Sequence, residues 1–323
     1  MMRALVYERY GPPEALRLEQ VPRPQPGPGE VLVRVRAASV NSRDWDLLTG
    51  TLMGRIGSPF RPPHKILGAD IAGTIEAVGQ GVSQFSPGDA VFGDLSGGSW
   101  GGFADYVSAV AAALAPVPSG LDFVKAAALP QAGALALQGL RCRPSLGAGD
   151  AVLLNGAGGG VGTVALQIAK GLGATVTAVD RSEKRERLLA LGADAFIDYR
   201  EADFITDPDR YDLILDVVAR HSPNAFSRCL RDRGNLVVIG GTLSSILGVA
   251  ALGPLVGRKR DQRLELLIHR PSTADFTDLA ERCLAGTLTP VIDSVYPLAD
   301  GAEALRRLGS GLAFGKVIIT PDG

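Results

Sequence analysis

Cysteine is scarce: Cys142, Cys229 and Cys283 are the only three in 323 residues. No two lie close enough for a CxxC pair, so no disulfide framework can be drawn and a reducing compartment, the cytoplasm, is expected. Histidine is equally sparse, and His64, His221 and His269 stand far apart, so no tetrahedral nitrogen and sulfur set with local spacing exists. Charge of one sign is lacking too. Against 34 acidic residues stand 33 Lys and Arg, a net charge of −1, which gives no field for gripping a phosphate backbone or an anionic lipid surface. The stretch Met1–Tyr10 carries Arg3, Glu8 and Arg9 without an apolar run before a cleavage site, so no export signal is expected. The longest uncharged stretch of the C-terminal half, 234–257, is broken by Asn235, repeated glycines and Pro254. It falls short of the ~20 continuous apolar residues of a membrane span.

What is present is two textures. Residues 1 to about 120 are dense in Gly and Pro and alternate with period two: Val31, Val33 and Val35 interleave with Arg34 and Arg36, which suits a strand with one solvated face. Similar runs at 4–7, 71–78, 90–92 and 103–107, punctuated by Gly, Pro and Asp, predict an all-β module in the form of a partly open barrel. After about Leu121, short β-branched runs at 151–155, 175–179, 195–197, 213–216 and 236–239 alternate with helical spacing, notably over 161–171 and 182–191. That alternation predicts a parallel sheet wrapped by helices. Residues 275–285 and 301–308 read as helices, and 316–320 as a final strand.

The run 151–155 leads into Gly156-Ala157-Gly158-Gly159-Gly160-Val161-Gly162, and an apolar periodic helix follows. Glycines let a backbone turn tightly and approach a pyrophosphate, whose charge then meets the unpaired amides of a helix N-terminus. With the strand before and the helix after both in place, dinucleotide binding is expected, Ala157 being a small residue where the strict fingerprint has Gly. Asp180 stands 18 residues past Gly162. An acid near that spacing accepts the ribose hydroxyls and favours NAD, whereas the adjacent Arg181 and Lys184 suit a 2′-phosphate, so the residues themselves leave both coenzymes open.

The segments 37–45 (AASVNSRDW), 67–73 (LGADIAG), 87–93 (PGDAVFG), the glycine turn, 191–194 (LGAD) and 315–317 (GKV) occur in this order along nearly the whole chain. Together they resemble the medium-chain dehydrogenase/reductase superfamily, and within it the zinc-independent quinone oxidoreductase-like branch. The resemblance implies an α/β architecture: a GroES-like β-barrel catalytic domain over 1–122, completed by 268–323, and a Rossmann domain with a doubly wound, six-stranded parallel sheet over 123–267. It implies no metal, since Asn41, Ala69-Asp70 and Gln131 stand where metal-dependent members carry Cys, His-Glu and a third ligand. Lys184 and Tyr199 match positions that contact the 2′-phosphate and adenine end, which favours NADP(H) while NAD(H) stays open through Asp180. Val217, Gly240 and Gly241 match later loops along the coenzyme. A homodimer and an acceptor seated between the modules are further implications.

Without a Lewis acid, the barrier must fall through positioning and through hydrogen bonds to the oxygen that gains charge. This favours quinones and α,β-unsaturated carbonyl compounds as acceptors. By the resemblance Asn41 lies beside the nicotinamide, where its amide donates to the acceptor oxygen or simply caps the helix after it. Asp44 is expected to orient Asn41 or a relaying water, and Trp45 to pack flat against an aromatic acceptor. Asp70 reads as a satisfied acid under a turn, and Trp100, among glycines, as either a mobile flap or a buried anchor. Two other readings stand beside this one. One is metal-free alcohol or aldehyde oxidoreduction; the other is an NADPH-linked RNA- or partner-binding protein suggested by the basic run 258–263, which has no aromatic residue for base stacking.

Overall fold

In the computed structural model, which describes residues 1–321, the strand Glu30–Val40 is the spine of a seven-stranded sheet. The expected alternation is visible in it: Val31, Val33 and Val35 are buried and Arg34 and Arg36 only partly so. On one side it pairs antiparallel with Asp70–Val78, which continues to Ala90–Asp94 and Leu114–Pro116; on the other it pairs with Lys316–Thr320 and, beyond that, Ile292–Pro297. Tyr106–Val110 pairs with its first half. Register shifts near Leu32 and Val35 bend the spine, the device by which an antiparallel sheet curls toward a barrel. Its last residues, Ala37–Val40, are buried on both faces.

The loop carrying Trp100 is not a flap. Trp100 is 5% exposed, stacks on His64 with ring centroids 5.0 Å apart, and joins the core that contains Phe103, Leu95 and Ile71. The surrounding glycines let the backbone enter the left-handed region at Trp100, where φ is 51°, a conformation rare outside Gly and Asn. Burial of the indole holds it there.

The chain forms two compact units, the first comprising residues 1–132, 271–286 and 290–323 and the second 133–270 and 287–289. In the second, six strands are all parallel in the order Ala195–Asp198, Thr175–Asp180, Ala151–Asn155, Tyr211–Asp216, Leu230–Val238, Arg263–Leu266. Numbered by appearance this is 3-2-1-4-5-6, the doubly wound dinucleotide-binding order, with its switch point between the first and fourth strands. The central strands are buried on both faces, which is why they read as continuous apolar runs. The expected helix 182–191 is a 3₁₀ turn, Ser182–Lys184, followed by the helix Arg185–Ala190. The uncharged stretch holds the helix Leu243–Gly257, and no helix among the described residues is long and apolar enough to cross a membrane.

Candidate active site

The glycine turn sits at the centre of the parallel sheet. Gly156 and Ala157 both donate their N–H to Val179 O, at 3.0 and 3.2 Å, which ties the turn to the neighbouring strand. The helix Gly160–Gly171 starts after Gly159, and no side chain caps it. By helix geometry the N–H groups of Gly160, Val161 and Gly162 have no intrahelical acceptor. A Cβ on Gly162 would lie 2.4 Å from Gly156 O and 2.5 Å from Ala157 Cα, so the close approach of helix and turn requires glycine there. This is a cradle for a pyrophosphate, and a pyridine dinucleotide fits it.

Two further loops meet the turn. Val217 N–H donates to Asn155 O at 3.1 Å, a Cβ on Gly156 would touch Val217 at 3.4 Å, and a Cβ on Gly240 would come within 2.8 Å of Val217 O. Ala219 and Gly241 form an isolated parallel bridge. The positions expected along the coenzyme in the second unit therefore share one edge of the sheet.

Asp180, whose spacing suggests a ribose acceptor, is also engaged within the protein. Its Oδ2 accepts from Gly158 N–H at 2.8 Å, its Oδ1 from Arg181 N–H at 2.8 Å, and Lys184 Nζ lies 3.2 Å from that Oδ1. Both side chains of the pair are 8% exposed. The carboxylate is thus neutralised by Lys184 and tied by one oxygen to the glycine turn. Arg181 extends over the surface instead and donates through Nε to Tyr199 Oη at 3.0 Å. Arg200 is engaged by Asp198 and Glu183.

Asp216, at the end of the fourth strand, was not among the sequence candidates. Its Oδ1 accepts from Asn155 Nδ2 at 2.8 Å and Val218 N–H at 3.0 Å, while its Oδ2 is buried without a partner. Burial pushes this carboxyl up to about 7. Two polar residues closing two adjacent apolar strands, Asn155 and Asp216, are the signal by which it could have been found.

In the first unit the sheet register builds a buried polar cluster. Ser39 is opposite Asp70, Asp70 is opposite Asp94, and Val40 is opposite Val317, so the side chains of Asn41 and Lys316 meet at the end of the same rows. Asp70 is fully buried; its Oδ2 accepts from Ser39 Oγ at 3.0 Å and Asn41 Nδ2 at 2.9 Å, and its Oδ1 from Gln131 N–H at 3.2 Å. Lys316 Nζ donates to Asn41 Oδ1 at 2.5 Å and lies 3.7 Å from Asp70 Oδ2. Burial pushes Asp70 up to about 6, against the pull of Lys316, and Asp94 across the strand adds to the rise. Burial likewise drives Lys316 down, against the pull of Asp70.

Asn41 precedes the helix Ser42–Thr49, and Asp44 Oδ2 reaches back to accept its main-chain N–H at 2.8 Å while Oδ1 accepts Gly68 N–H at 2.9 Å. Asp44 thus fixes the backbone under Asn41, and burial raises it to about 7. The benzo edge of Trp45 packs on the helix Gly301–Gly309, where a Cβ on Gly309 would come within 2.2 Å of Trp45 Cζ3, and the side chain as a whole is half-buried.

The residues present do not suit a catalytic zinc. Where such a metal would need thiolate and imidazole, the cluster offers an amide and carboxylates, and its cation is already the Lys316 ammonium. Burial drives all three cysteine thiols up, Cys142 to about 12 and Cys229 and Cys283 to about 11, so none is a ready nucleophile. The basic run 258–263 is partly neutralised, Arg260 pairing with Asp209 and Asp232.

Comparison with known proteins agrees with this geometry. The family described as "Alcohol dehydrogenase GroES-like domain" matches residues 27–119, and that described as "Zinc-binding dehydrogenase" matches residues 191–319. Human quinone oxidoreductase is 31% identical over 99% of this chain and 98% of its own length. A tomato (Solanum lycopersicum) 2-methylene-furan-3-one reductase is 30% identical over 99% of this chain and 79% of its own. A mycobacterial protein solved in complex with NADPH superposes with a TM-score of 0.83 at 28% identity, over 99% of this chain and 100% of that one.

Proposed function

The chain belongs to the medium-chain dehydrogenase/reductase superfamily, among its quinone oxidoreductase-like members, and from that premise we propose that it is a reductase of quinones and related α,β-unsaturated carbonyl compounds, using NADPH and no zinc. The observation that carries this reading is the buried Asn41 amide, held between Lys316 and Asp70 where metal-dependent relatives place their ligands.

When bound, the reduced dinucleotide supplies a hydride. The chain's own residues do the rest. Backbone N–H groups of Gly160, Val161 and Gly162 hold the pyrophosphate. Arg181, steadied by Tyr199, takes the 2′-phosphate, since Asp180 is neutralised by Lys184 and no longer repels it. Asn41 Nδ2–H donates to the acceptor oxygen that gains charge. One amide donor stabilises an oxyanion less than a bound metal does, so acceptors that delocalise the charge are favoured over simple aldehydes.

The test is a kinetic panel of NADPH and NADH against naphthoquinone, an enone, an aldehyde and an alcohol, with and without a chelator. Quinone and enone are expected to consume NADPH, chelator to leave the rate unchanged, and alcohol oxidation with NADP to be slower. Chelator-sensitive turnover or a faster alcohol reaction refutes the reading. Arg181→Ala is expected to raise KM for NADPH about tenfold and leave KM for NADH unchanged, the loss of one charge-assisted contact.

The reading includes a homodimer. The strand Arg263–Leu266 ends the parallel sheet and the helix Leu243–Gly257 packs on its backbone, while Leu247, Leu252 and Leu255 of that helix and Ile268 beyond the strand stay exposed. Light scattering is expected to return twice the chain mass. Three unpaired cysteines support a cytoplasmic setting.

A further inference from the structure

The strand Lys316–Thr320 reads Lys-Val-Ile-Ile-Thr, and its lysine side chain is 6% exposed, as withdrawn from water as the apolar residues that follow it. An ammonium is placed in such an interior only with partners that compensate its lost hydration. Those partners are Asn41 Oδ1 at 2.5 Å, Val40 O at 3.1 Å and the Asp70 carboxylate.

The consequence falls on Asn41. Its amide lies between a cation at the oxygen and a carboxylate at the nitrogen, where Nδ2 donates to Asp70 Oδ2 at 2.9 Å. Rotated by half a turn, the amide would set its oxygen against the carboxylate and its NH₂ against the ammonium, two repulsive contacts in a medium of low dielectric. Charge therefore selects one of two orientations that sterics would allow equally. In that orientation the second N–H of Nδ2 has no acceptor among the described residues, and Asn41 keeps 7% of its surface exposed. The ammonium also draws electron density from Oδ1 and so strengthens that N–H as a donor.

We infer that Lys316 is a positioning residue for reduction: its ammonium locks and polarises the Asn41 amide so that the remaining N–H is presented to the acceptor oxygen. This rests on the reading of Asn41 as the donor to that oxygen. Neutralising Asp70 would by itself need only a nearby cation, whereas the direct bond to Asn41 Oδ1 is what sets the amide.

The test uses the full chain and four variants: Asn41→Ala, Lys316→Arg, Lys316→Met, and Lys316→Met with Asp70→Asn, the last leaving the net charge of the cluster unchanged so that folding is preserved. Two quantities are read. One is the ¹⁵N resonance pair of the Asn41 side chain without coenzyme, assigned by its loss in Asn41→Ala; the other is kcat with naphthoquinone alongside KM for NADPH.

Asn41→Ala is expected to lower kcat about a hundredfold, the scale of one oxyanion donor. The double variant is expected to shift or broaden the Asn41 resonances and lower kcat about 30-fold with KM for NADPH within twofold, and Lys316→Arg to recover most of both. If Asn41→Ala lowers kcat but the double variant leaves either the resonances or kcat unchanged, the assignment of Lys316 is overturned while Asn41 keeps its role. Should Asn41→Ala itself turn over normally, the reading of Asn41 fails, and the role of Lys316 with it.

Discussion

Gly162→Ala is expected to raise the dissociation constant for NADPH at least a hundredfold, read by titrating the fluorescence of the reduced nicotinamide. A methyl at this position meets Gly156 O at 2.4 Å and Ala157 Cα and O at 2.5 Å, all of them backbone atoms that cannot rotate away. Either the helix or the turn must move, and the turn is pinned to Val179 and, through Gly158, to Asp180. Displacing the helix start removes the geometry that sets three amide groups around one anion. Gly171→Ala, at the other end of the same helix, is the matched control. A Cβ there meets nothing within 4 Å, so that variant should bind NADPH normally and gain about 0.5–1 kcal/mol from the reduced entropy of its unfolded chain. Equal binding by both variants would remove the cradle from the account.

Asp216→Asn is expected to stabilise the protein at pH 8 and to make little difference below about pH 4. In the fold this carboxyl titrates at about 7, and in the unfolded chain near the ordinary ~3.9. A group whose pKa is raised by folding contributes its full stabilisation below the unfolded value and loses it as pH rises through the folded one. Over about three pH units the loss amounts to roughly 4 kcal/mol. An amide in place of the acid cannot ionise and escapes it, so thermal unfolding followed from about pH 4 to 8 should show the melting temperatures diverging by several degrees. A gap that is constant across pH would place the cause in packing instead. Asp44 and Asp70 carry the same sign in the first unit. Asp293, held down to about 2 mainly by Arg307 against the opposing effect of its burial, acts in the opposite direction and guards the acid limb.

Much of this was legible before any coordinates. The glycine turn could be placed because strand, turn and helix each constrain the others, and Ala151–Asn155 and Lys316–Thr320 occupy the residues their patterns predict. The sixth parallel strand, implied by the resemblance, could not be placed from its residues: Arg263–Leu266 alternates charged and apolar residues because it lies at the sheet's edge, so it lacks the continuous apolar run of its central neighbours. Glycines around Trp100 imply freedom locally, yet the tertiary contact with His64 and the core removes it. Asp180 shows the same limit from the other side. Its distance from the glycines suggests a ribose acceptor, and only the fold reveals that Lys184 and two backbone amides also engage its oxygens. Lys316 stood in a recognisable motif, but its meaning depends on the register that brings Val317 opposite Val40.

That register bears on how the protein is born. Lys316–Thr320 lies between Glu30–Val40 and Ile292–Pro297, inside the sheet and not at its rim. The first unit draws on residues 1–132 and 290–323, so its middle is complete only once residues 316–320 are made, whereas residues 133–270 are available as one continuous piece well before that. During that interval Asp70 has no ammonium beside it. The nascent first unit therefore presents an unfinished sheet edge to chaperones, and premature termination upstream of Lys316 would yield a chain able to complete only its second unit.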